Sequence, residues 1–180
     1  MHIGPVQPIE IVIGVYMRTR LQADDGAKAL RILQREMQRD APADGTAYHH
    51  GPREIQRVHM TINGFADIAY HFVIDDGGRL FEGRALNVRG AHTRGHNTGT
   101  VGVVLLGDFE RGDPTPEQLA VLPMLLQSLR DTYGITHLAG HRDFLPAETV
   151  CPGQALEARL VDLAHATGLR FGIDGYRAPV

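Results

Sequence analysis

Two side chains with metal-binding chemistry stand ten residues apart in the last quarter of the chain, His141 and Cys151. An imidazole nitrogen and a thiolate sulfur are ligands that zinc, a borderline-soft ion, takes together. Between them lie Asp143, Pro146, Glu148 and Thr149, which read as a loop rather than a helix or strand, and Pro152-Gly153 then turns the chain away. On spacing alone, two readings stand side by side: a ligand pair, or a surface histidine with a buried thiol.

Regular elements must hold this pair. Ile135 to Ala139 reads as a short strand that delivers His141, and Gln154 to Thr167 as a helix leaving Cys151. Upstream, Pro114-Thr115-Pro116-Glu117 opens a long helix, with Thr115 as N-cap, Pro116 at its first position and a buried stripe of Leu119, Leu122, Leu126 and Leu129. Pro123 is expected to kink that helix, because it lacks the N–H of a backbone bond. The β-branched run Ile9 to Met17 predicts a buried strand, with Gly14 marking a bulge or a close backbone approach. A helix with Leu30, Leu33 and Met37 on one face is expected to follow Asp24-Asp25-Gly26. Pro52 starts a further helix that Asn63-Gly64 ends. Ile68 to Ile74 and the strand beginning at Arg79 make a hairpin about Asp75-Asp76-Gly77-Gly78, and Val101 to Leu106 is a central strand. Alternating strands and helices with one hairpin predict an α/β single domain, a central mixed β-sheet flanked by helices.

The chain of 180 residues is long enough for one sizeable core, and 43% apolar with 22% charged residues is ordinary for a globular domain. A net charge of −3 leaves no basic field for phosphates, so no nucleic-acid partner is expected. One cysteine excludes an internal disulfide. No apolar stretch approaches the ~20 residues that span a bilayer, and the first residues lack a secretory pattern. The expected location is therefore cytoplasmic without a membrane partner. A cell-wall substrate would then come from recycled fragments, from export by another route, or from lysis. Oligomeric state is not readable from the sequence.

The string GHRDF…TVCPG around His141 and Cys151 resembles the last zinc-binding segment of the type 2 N-acetylmuramoyl-L-alanine amidases. That family includes phage-type zinc amidase lysozymes and the peptidoglycan recognition proteins. Three more stretches fit in order: Asp67-Ile68-Ala69-Tyr70-His71-Phe72, Phe81-Glu82-Gly83-Arg84, and Gly90-Ala91-His92 through His96-Asn97 to Val103. The likeness runs roughly from Arg53 to Leu156. Residues 1–48 match less well and 168–180 form a tail, within one amidase-like domain over 1–180.

The resemblance implies zinc-dependent hydrolysis of the lactyl–L-alanine amide in peptidoglycan or a muropeptide. His141 and Cys151 would be two of three zinc ligands. Tyr70 stands where the phage-type members place a tyrosine beside the zinc water, and Thr149 where the family carries lysine or threonine. Packing on the sheet is the other reading of Tyr70, and a bond to its own loop backbone the other reading of Thr149. His92 and Asn97 fall in a loop that the family uses for substrate. His59 and His71 read as structural, His137 and His165 carry no motif, and Glu82 and Arg84 read as an ion pair. The departure is the first ligand: alignment of the Ile9–Met17 strand puts Gly14 where the family has a histidine. His49 is the expected replacement, with His50 as runner-up. Two alternatives remain: a non-catalytic peptidoglycan-binding domain that lost the ligand, or an enzyme of this fold recruited to another amide.

Overall fold

The computed structural model describes residues 10–17, as backbone, and residues 51–176. The expected helix after Asp24 and the pair His49-His50 lie outside the described residues.

Six strands form one sheet: β1 (Glu10–Met17), β2 (Phe72–Ile74), β3 (Leu80–Glu82), β4 (Thr100–Leu106), β5 (Ile135–Gly140) and β6 (Arg170–Phe171), in the order β3-β2-β4-β1-β5-β6. β2 pairs antiparallel with β3 and parallel with β4, β1 runs antiparallel to β4 and β5, and β6 is parallel to β5. The sheet is therefore mixed, as the alternation of elements predicts. Among the described residues the helices are α1 (Pro52–Thr61), α2 (Pro116–Tyr133), α3 (His141–Phe144) and α4 (Gln154–Thr167).

α2 begins as its sequence dictates. Thr115 Oγ1 accepts from Gln118 N and Gln118 Oε1 accepts from Thr115 N, each at 3.1 Å, a reciprocal capping box ahead of Pro116. Leu122, Leu125, Leu126 and Leu129 are fully buried, and the helix runs on through Pro123 to the left-handed cap at Gly134. Val103, Val104 and Leu105 of β4, Phe72, Val73 and Ile74 of β2, and Leu156 and Leu160 of α4 belong with these leucines to one buried cluster that takes in both faces of the sheet.

Four details depart from the sequence reading. The stretch after Gly140 is not all loop: His141–Phe144 closes one helical turn, with Gly140 N donating to Asp143 Oδ2 at 2.8 Å. Four residues are too few to show a helical period. The strand expected from Ile68 begins only at Phe72; before it the Ala69 N–H goes to His59 Nδ1 at 3.0 Å rather than to another strand. Arg84 does not pair with Glu82, which is exposed. Arg84 is instead buried, and its guanidinium donates to the carbonyls of Ile68, Arg89 and Asp67 at 2.9, 2.7 and 3.0 Å. In β1, Gly14 lies opposite Gly102 on one side and Ala139 on the other, and the break in register falls between Val15 and Met17.

Candidate active site

β5 carries the chain into the site. His141 is the first residue of α3, so the strand end fixes its Cα and the single turn fixes its direction. Its Nε2 is buried with no hydrogen-bond partner. Burial holds its pKa below the ordinary imidazole value, while Glu148 acts in the opposite sense. The imidazole is thus kept neutral, the form that can coordinate a metal.

The neighbouring residue ties in the cysteine. Arg142 N donates to the Cys151 carbonyl at 2.9 Å and Arg142 Nε to the same oxygen at 3.4 Å. Arg142 Nη2 also donates to the Val150 carbonyl, and it reaches Glu110 Oε1 at 3.4 Å. Sequence reasoning passed over Arg142; its place directly after a candidate ligand was the available signal. Cys151 is buried and in no disulfide. Cys151 N donates to Thr149 Oγ1 at 3.1 Å, so the Thr149 hydroxyl does serve its own loop, and its own proton is not used by that bond. Beyond the cis Cys151-Pro152 bond, Gly153 has φ +86, and a Cβ there would lie 2.6 Å from the Phe109 carbonyl carbon. Only glycine permits both that conformation and that approach.

Opposite stands a buried group of rings. Tyr70 is 4% exposed, with ring centroids 5.5 Å from His59 and 6.5 Å from His92. His71 accepts from Gly102 N at Nδ1 and donates from Nε2 to the Val88 carbonyl, each at 3.0 Å, which fixes one neutral tautomer. Burial first, then the nearby Arg84, lower its pKa to about 4, against the Val88 bond. His92 lies edge-on to His71 at 5.8 Å between centroids. Burial, with smaller contributions from His71, His141 and Arg84, lowers its pKa to about 3. Its Nδ1 meets Thr93 Oγ1 at 3.0 Å, and its Nε2 is buried without a partner.

Asn97 shapes the loop that carries His92. Its Oδ1 accepts from His92 N and Thr93 N, each at 2.8 Å. Arg94 on that loop pairs with Glu148 on the Cys151 loop at 2.7 Å. His137, which has no motif, is buried and bonded to the C-terminal segment. The Arg94–Glu148 pair ties the loop of His92 and Asn97 to the loop of Thr149 and Cys151, and Tyr70 packs beside His92. Among the described residues no three of His, Cys, Asp or Glu stand close enough to hold a metal ion.

The sheet and this pocket define an α/β protein of the amidase and peptidoglycan-recognition type. The chain belongs to the N-acetylmuramoyl-L-alanine amidase family, whose sequence model matches residues 24–154. A human N-acetylmuramoyl-L-alanine amidase is 36% identical over 119 residues, 64% of this chain and 20% of that protein. Peptidoglycan-recognition protein SD of Drosophila simulans is 34% identical over 121 residues, 66% of this chain and 64% of that protein. The endolysin of Enterobacteria phage K11 is 36% identical over 112 residues, 59% of this chain and 72% of the endolysin. The match thus spans less than two thirds of the human and fly relatives. Among solved structures, the N-acetylmuramoyl-L-alanine amidase LysC from Clostridium intestinale superposes with TM-score 0.61 at 30% identity, covering 66% of this chain and 76% of that one.

Proposed function

We propose that the protein is a zinc-dependent N-acetylmuramoyl-L-alanine amidase acting on peptidoglycan fragments or muropeptides. One observation carries the reading: a buried, neutral, unpartnered His141 Nε2 stands next in the chain to the residue that holds the Cys151 backbone. A buried polar atom without a partner costs about 1–3 kcal/mol, and a metal ion would remove that cost. A nitrogen and a sulfur donor fit zinc. His141 and Cys151 would hold it, with His49, or His50 as runner-up, as the third donor from outside the described residues. When bound, zinc supplies an acidified water and a Lewis acid for amide hydrolysis.

The chain's own residues would do the rest. Tyr70, buried against His92, offers a phenol to the reacting water or the oxyanion. Thr149, whose oxygen accepts from Cys151 N, keeps its proton for the same oxyanion. The loop of His92 and Asn97 would meet the substrate, its turn secured by Asn97 and its base by the buried His92 ring. Peptidoglycan recognition is supported by relatives solved with such ligands, among them human PGRP-IBETAC in complex with glycosamyl muramyl pentapeptide.

Gly14 favours a second reading, a peptidoglycan-binding domain without hydrolysis, since glycine has no side chain to ligate and lies mid-strand between Gly102 and Ala139. Elemental analysis of purified wild-type, His49→Ala and His50→Ala protein separates the two. One equivalent of zinc in wild type, lost in one of the two variants, supports the enzyme. Metal-free wild type that still binds muramyl peptide supports the binding domain.

A further inference from the structure

The family match ends at residue 154, yet the chain returns to the site after it. β6 pairs with β5 through His137↔Arg170 and Leu138↔Phe171, and Gly172 N donates to the Leu138 carbonyl at 2.9 Å. His137, 4% exposed, donates from Nε2 to the Asp174 carbonyl at 3.0 Å, while its Nδ1 meets Thr136 Oγ1 at 2.7 Å. A neutral imidazole satisfies both bonds at once, so the segment is anchored to the sheet by a buried side chain.

The anchored segment ends on Tyr176, whose hydroxyl donates to the Thr98 carbonyl at 2.9 Å. The Tyr176 ring lies 6.3 Å from His96 and 6.2 Å, edge-on, from Phe144, and His96 lies 5.3 Å from Phe144. Phe144 closes the turn that begins with His141, and Ile173 joins the same small apolar cluster with Ala139. Thr98 and His96 flank Asn97, whose Oδ1 holds the backbone of His92 and Thr93. Tyr176 is therefore in contact with both the ligand-bearing turn and the loop that carries His92 and Asn97.

We propose that Tyr176 is a positioning residue: the C-terminal segment Leu169–Tyr176 is a strap that fixes the His92–Thr100 loop for binding of the muramyl peptide. The proposal rests on the function proposed above for the identity of the ligand. Without the strap, the loop retains its internal Asn97 and Thr100 bonds and the direct His96–Phe144 contact but loses the Tyr176 hydrogen bond and the ring that packs on both, so its placement relative to His141 loosens. Substrate affinity then falls while the chemistry on bound substrate is little changed.

The test uses the full-length chain as wild type, Tyr176→Phe and Tyr176→Ala. Tyr176→Phe keeps the ring and removes only the hydroxyl. Amide hydrogen exchange over residues 92–100 is expected to be roughly tenfold faster in Tyr176→Ala, with an intermediate effect in Tyr176→Phe. KM for muramyl pentapeptide is expected to rise roughly 3- to 10-fold in Tyr176→Phe, the loss expected of one hydrogen bond, with kcat within about twofold and zinc content unchanged. Unchanged exchange in Tyr176→Ala overturns the strap. Faster exchange with unchanged KM also overturns it, leaving a merely structural contact. Wild-type protein that binds the peptide without cleaving it overturns the hydrolase reading instead; the strap is then judged by the dissociation constant, with the same expected shift.

Discussion

His92 fills the space that a side chain on Gly102 would need: a Cβ on Gly102 would lie 2.4 Å from His92 Cδ2 and 2.6 Å from Cγ. Gly90 leaves the same room from the other side, at 2.4 Å from His92 Cδ2. The imidazole thus sits in a socket made by two glycines, and Gly102 N additionally donates to His71. Gly102→Ala is expected to destabilise the fold by about 1–3 kcal/mol, the usual scale of overpacking. It should also weaken muramyl-peptide binding by displacing His92. Thermal melting and calorimetric binding check both, and an unshifted melt would show that the socket has slack.

The buried imidazoles predict a sensitivity to mild acid in the metal-free protein. Both have folded-state pKa values below the ordinary 6.5, about 4 for His71 and about 3 for His92. Below pH 6.5 the unfolded chain therefore binds protons that the folded chain refuses. Their contribution to stability is complete above about pH 6.5 and declines as pH falls toward those folded values. The upper part of that window lies above the carboxylate range, so a fall in urea midpoint between about pH 6.5 and 5 belongs to histidines. Nitrogen NMR shifts should show both rings neutral at about pH 5; a charged His71 there contradicts the burial argument.

Cys151→Ser is expected to lose zinc and hydrolysis while the fold stays intact, because an un-ionised hydroxyl binds zinc poorly. The Cys151 backbone, held by Arg142 and Thr149, does not depend on the sulfur. Elemental analysis with circular dichroism reads this out. Full zinc and full activity in the variant would remove Cys151 from the site.

Tyr70→Phe is expected to lower turnover by roughly 10²-fold or more, the scale of one positioned proton-transfer or oxyanion group. The ring would keep its place between His59 and His92, so zinc content and affinity should change little. Unaltered turnover would make Tyr70 a packing residue.

Much of this frame was legible wherever residues signal locally. Thr115 and Pro116 announce the start of α2, and Gln154 to Thr167 is read to the residue. His141 and Cys151 stood out as a candidate pair from chemistry plus the strings around them. What escaped was tertiary. Arg84 beside Glu82 invites an ion pair, but the chain folds three carbonyls around the guanidinium instead. A two-residue strand at Arg170–Phe171 has no pattern to read, and its value comes from His137, a residue with no motif of its own. Gly14 was visible as a missing ligand, while its pairing with Gly102 required the sheet.

Mass spectrometry of muramyl pentapeptide incubated with the zinc-loaded 180-residue chain tests hydrolysis of the muramoyl–L-alanine amide most directly. Hydrolysis is expected to give two products, the free peptide beginning with L-alanine and the lactyl-bearing sugar, together heavier than the substrate by one water, and no products after chelation. Intact substrate in the presence of stoichiometrically bound zinc would contradict it.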